Sequence, residues 1–100
     1  MVKHVILWQL RDELTAAEKE NAKLEAKKNL EALYGKIEGL KYIKVNINGL
    51  ETSNADMMLD SGFDSFEALK AYAVHPDHVY VADTYVRPFT KSRACLDFED

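Results

Sequence analysis

The chain has three histidines, His4, His75 and His78, and the last two flank Pro76 shortly after Tyr72. With an ordinary pKa of about 6.5, a histidine is a usable base at neutral pH. A tyrosine hydroxyl can donate to a carbonyl oxygen as negative charge develops there. Together the two suit proton abstraction from the carbon beside a carbonyl. His78 and Tyr72 are therefore the candidate catalytic pair, with His4 and His75 as candidate pocket residues. Each also has a structural role open to it. Tyr72 on an amphipathic helix can be a core residue with its hydroxyl at the edge. His75 before a proline can be a turn residue whose ring bonds backbone, and His4 can be a satisfied core histidine. His78 stands apart because the apolar stripe it interrupts would otherwise favour an aliphatic side chain.

Other chemistries find less support. His4, His75 and His78 with Asp77 could be read as a metal set. However, two histidines three apart across a proline start do not form the usual helical ligand pair, so no metal or other cofactor is expected. Cys95, the only cysteine, lies in an apolar stretch and is expected to be a buried, inert thiol. No serine or cysteine sits in a recognisable nucleophile elbow. A lone cysteine excludes an intrachain disulfide and suits a reducing, cytoplasmic setting. The net charge of −4 offers no basic footprint for nucleic acid. No stretch approaches the roughly 20 apolar residues of a membrane span.

The elements that must position these residues follow from patterning. Residues from about Val2 to Leu10 read as a strand, with Val2, His4, Ile6, Trp8 and Leu10 on one face and Lys3, Val5, Leu7 and Gln9 on the other. Thr15 and Glu18 form a capping box. The helix it opens is expected to reach Tyr34, stop at Gly35, and bury Ala22, Ala26, Leu30, Leu33 and Ile37. A second strand is expected over about Tyr42 to Asn48 and a third over about Asp56 to Phe63. Asp64 or Ser65 then caps a short helix that turns Phe66, Leu69 and either Tyr72 or Ala73 inward. Pro76 opens a third helix, to about Val86, whose stripe is His78, Val81, Ala82 and Tyr85. Pro88 ends it, and Ser92 to Phe98 make the last strand.

This order is a split βαβ plan: an α+β, ferredoxin-like, four-stranded antiparallel sheet with helices on one face. The other face, carrying Val5 and Leu7, would be an apolar surface too large for a monomer. Pairing two sheets face to face in a homodimer covers it. Small side chains at Ala22 and Ala26 suggest a cavity beneath the first helix. Opposite them stand His4, Ile6 and Trp8, with Val81, Ala82 and His78 on another wall.

Several segments resemble the stress-responsive dimeric α/β-barrel (Dabb) family. They are Val-Lys-His-Val-Ile-Leu at 2–7, Leu14-Thr15, Phe63-Asp64-Ser65-Phe66-Glu67, Tyr72-Ala73-Val74-His75-Pro76-Asp77-His78-Val79 and Asp97-Phe98. The resemblance covers essentially the whole chain, so residues 1–100 read as one such domain, and it implies a homodimer whose two sheets form an α+β barrel. The family includes a plant polyketide cyclase that makes olivetolic acid by an aldol-type ring closure. Similarity to it implies acid–base roles for Tyr72 and His78, with His4 beside them. The bulky aromatics of that enzyme's first helix correspond here to Ala22, Lys23 and Ala26, which implies a different substrate. Three readings follow: a small-molecule binder or enzyme of the aldol-cyclase or isomerase type, a non-catalytic stress-response or structural homodimer, and, by analogy with other such barrels, a cofactor-free oxygenase.

Overall fold

A computed structural model describes residues 1–100. The first strand, β1 (Val2–Leu10), buries its even-numbered side chains, as the alternation predicts. Thr15 caps helix α1 (Ala16–Glu31): its hydroxyl accepts from the Glu18 N–H at 3.1 Å, and the Glu18 carboxylate accepts from the Thr15 N–H at 2.8 Å. The helix ends three residues before the expected Tyr34. There the chain tightens into i→i−3 turns, with Leu33 N–H bonding Leu30 C=O and Tyr34 N–H bonding Glu31 C=O. Gly35, at φ +85°, completes the reversal.

Strand β2 (Leu40–Asn46) begins and ends two residues earlier than expected. Gly39, at φ +86°, releases the chain directly into it. Asn46 pairs with Met58, so little of the next strand, β3 (Met57–Phe63), remains to pair with Ile47 and Asn48. Ser65 rather than Asp64 caps helix α2 (Phe66–Ala73) and accepts from the Ala68 N–H at 3.1 Å. Leu69 and Tyr72 face inward, whereas Phe66 is 54% exposed. Its ring instead lies beneath the Lys70 ammonium, 4.8 Å from the centroid.

Pro76 opens helix α3 (Pro76–Val81), which widens into a π-helical turn at Ala82–Val86 and tightens into a 3₁₀ turn at Arg87–Phe89. Strand β4 (Thr90–Glu99) is longer than expected because it pairs with the whole of β1, from Val2↔Glu99 to Leu10↔Thr90.

The strand order is β2-β3-β1-β4, every neighbouring pair antiparallel. This is the ferredoxin-like plan. Helix α1 packs on β2, α3 and the π-helical turn, and the buried apolar side chains form one cluster between helices and sheet. Two charges of α1 protect the β2 edge. Lys27 donates to the Val45 carbonyl at 2.8 Å, and Glu31 accepts from the Val45 N–H at 2.9 Å. Strand β4 lies beyond the helical layer, so Cys95 is exposed, contrary to expectation. No helix is long and apolar enough to cross a membrane.

Candidate active site

A cavity of about 400 Å³ opens between the inner face of the sheet, α2 and the α3–π segment. Strand β1 supplies His4, Ile6 and Trp8, α2 supplies Leu69 and Tyr72, and the following segment supplies His78, Ala82 and Val86. This volume falls in the range of small-molecule sites. Aromatic rings pack in series from the buried Phe63 to the cavity wall. Tyr72 and His78 have ring centroids 4.1 Å apart, Phe63 and Tyr72 4.9 Å, and His4 and Tyr72 6.1 Å.

The local chain explains this convergence. Tyr72 falls on the inward side of α2, one helical turn after Leu69. The helix stops at Val74, His75 caps the next one, and Pro76 restarts it. The reversal lays the His78 ring against that of Tyr72.

The two residues are set up differently. Tyr72 is 1% exposed, and its hydroxyl is buried without a hydrogen-bond partner. Burial raises its pKa, so the hydroxyl keeps its proton and can donate it. His78 Nδ1 lies 3.3 Å from the Ala73 carbonyl. A carbonyl oxygen only accepts, so Nδ1 carries the proton and the neutral ring keeps a free lone pair on Nε2. Burial first, then the positive charge of Arg87, lowers the pKa of His78 below the ordinary value of 6.5. The ring is thus a base at neutral pH. Behind them, His4 Nδ1 meets Asp97 Oδ1 at 2.5 Å, and the Cys95 thiol donates to the same oxygen at 3.4 Å. Although Cys95 is exposed as a residue, partial burial of its sulfur, then that hydrogen bond, raises the thiol pKa and makes it a poor nucleophile.

The model of the family described as Stress responsive A/B Barrel Domain matches residues 2–100. The chain belongs to that family. A dimeric protein of unknown function and ferredoxin-like fold from Bacteroides fragilis is 35% identical, with a TM-score of 0.92 over 99% of this chain and 95% of that one. A protein from Arabidopsis thaliana is 25% identical, with a TM-score of 0.78 over 100% and 95% of the two chains. The hydroxynitrile lyase from Passiflora edulis is 14% identical, with a TM-score of 0.72 over 97% and 90%, which shows a shared fold alone. Comparison with curated proteins gives no match.

In this A/B barrel domain, His4, Ile6, Trp8, Tyr72, His78 and Ala82 share the cavity wall. Four residues expected there do not. Ala22 and Ala26, 2% and 0% exposed, lie in the core and border no part of the cavity. Their small side chains permit close packing of α1, and the wall residue from that helix is Leu30. Val81 is likewise a core residue. His75 caps α3 instead, its Nδ1 accepting from the Asp77 N–H at 3.1 Å. It fills the turn role that the sequence left open.

Sequence reasoning missed Asp97, Arg93, Arg87 and Lys70, which also line the cavity. Alternation along the last strand offers one signal, since Arg93, Cys95 and Asp97 share a face. The ladder then sets Arg93 opposite Trp8 and Asp97 opposite His4.

Proposed function

We propose that this A/B barrel protein binds a small carbonyl-bearing molecule with an apolar body and carries out proton transfer on it. His78 Nε2 takes a proton from the carbon beside the carbonyl. The C–H electron pair becomes the carbon–carbon double bond of an enolate, and the carbonyl π pair moves onto oxygen. The Tyr72 hydroxyl donates a hydrogen bond to that oxygen. Return of the proton at another carbon gives isomerisation, and attack of the enolate carbon on a second carbonyl gives aldol-type closure. His4, held by Asp97, lines the adjoining wall.

The observation that carries this reading is the Tyr72 hydroxyl, buried and unpartnered next to the His78 ring. An unsatisfied buried hydroxyl costs roughly 1–3 kcal/mol, and a ligand oxygen would remove that cost by displacing the side chains that now cover it. The cavity itself favours a ligand-binding role over a purely structural one. The working form is proposed to be a homodimer joined through the outer sheet face. There Leu7, Leu96 and Phe98 are exposed beside Val5 and Ala94, and the Bacteroides fragilis relative is a dimer.

Tyr72→Phe and His78→Gln variants test the reading, with benzoylpropionate methyl ester as a neutral ketone probe in calorimetric titration. Both should fold like the parent while Tyr72→Phe binds the ester several-fold more weakly. Unchanged affinity in Tyr72→Phe would remove the hydroxyl from the site.

A further inference from the structure

The chain is acidic, with a net charge of −4, yet its cavity is not. Three cations line it, Lys70, Arg87 and Arg93, against one carboxylate, Asp97. Asp97 is occupied by His4. Lys70 rests over the Phe66 ring, 4.8 Å from its centroid, and Arg87 pairs with Asp83. Arg93 forms no ion pair. It stands opposite Trp8 in the ladder, on the cavity side of β4. Both guanidinium groups are close enough to lower the pKa of His78, so their field reaches the base.

We infer that the cavity takes a ligand bearing a carboxylate as well as a carbonyl, with the carboxylate held by Arg93 and Arg87 and the apolar body against Ile6, Trp8 and Leu69. The inference rests on the acid–base reading for where the carbonyl sits, opposite Tyr72 and His78. Guanidinium groups suit the task because their planar donors match the two oxygens of a carboxylate. Arg93 is the specificity-determining residue, and Arg87 shares the charge while it stays tethered to Asp83. Together they select a keto acid over the corresponding neutral ketone. Since Arg93 is exposed, changing it should leave the fold intact.

The test compares benzoylpropionate with its methyl ester by calorimetric titration of the whole protein at low and high salt. The free acid should bind roughly fivefold or more tightly than the ester, with a preference that shrinks as salt is added. Arg93→Gln should bring the two affinities together, chiefly by weakening that of the acid. Equal affinities in the parent, a preference that survives in Arg93→Gln, or no binding of either probe overturns the proposal. Deuterium exchange beside the ketone separates this failure from failure of the acid–base reading. Exchange of both probes with no advantage for the acid removes the anion subsite alone. Arginine-dependent binding without exchange removes the acid–base step alone.

Discussion

At the scale of single residues, Tyr72 makes the sharpest distinction between chemistry and packing. A tyrosine kept for stability should have a partner for its hydroxyl, and this one has none among the protein's own groups. Tyr72→Phe is therefore expected to melt at or slightly above the parent temperature, because the change deletes an unsatisfied group and almost no apolar area. A fall of several degrees in differential scanning calorimetry would restore Tyr72 to an ordinary core role. His78 carries a pH signature. Its pKa is lowered in the folded state, chiefly by burial, so between that value and 6.5 the unfolded chain binds the proton more strongly. Stability should be unaffected by His78 above that window and decline as pH falls through it. His78→Gln should abolish this part of the slope in urea titrations across acidic pH. The acid limb of any turnover should also lie below the ordinary histidine pKa. How much of this the sequence carried depends on what each residue needed. His78 was legible because helix periodicity and a proline punctuate it, whereas periodicity alone left Tyr72 and Ala73 both open as the inward residue. Arg93 and Asp97 were not, because their placement depends on the register between strands at opposite ends of the chain.

At the scale of elements, local signals were read well and long-range packing was not. The Thr15–Glu18 box and the Pro76 start are written in adjacent residues and form as expected. Nothing between Ala82 and Val86 announces a π-helical turn. No glycine or proline interrupts that stretch, and the widening puts Val86 in the core while Tyr85 stays partly exposed. Ala22 and Ala26 were ambiguous for a physical reason: small side chains fit either a void or a close helix approach. Here the helix closes down, and the cavity lies farther along the sheet. Gly39 is an element-scale constraint with a direct test. Its backbone is left-handed, and a Cβ there would stand 2.6 Å from the Ala68 Cβ. Gly39→Ala is expected to cost more than about 1 kcal/mol by denaturant titration, since neither backbone nor neighbour accommodates it. A neutral outcome would mean that the β2–α2 contact is looser than described.

At the scale of the whole molecule, the sheet has two unlike faces. One holds the core and the cavity. On the other, Lys3, Tyr42 and Asp60 form a polar network, with Lys3 donating to the Tyr42 hydroxyl at 3.0 Å and that hydroxyl donating to Asp60 at 2.6 Å. The β1–β4 side of the same face is apolar, and Leu96 there is 65% exposed. Sedimentation of the parent at micromolar concentration is expected to give twice the chain mass, and Leu96→Asp should shift it toward monomer. A monomeric parent would refute the homodimer. The most direct measurement of the central claim is proton NMR of benzoylpropionate methyl ester in deuterated buffer. Catalysed loss of the signal from the carbon beside the ketone is expected with the parent protein, falling toward the buffer rate in both Tyr72→Phe and His78→Gln. Exchange no faster than buffer with the parent, or equally fast with the two variants, would contradict an acid–base site at Tyr72 and His78.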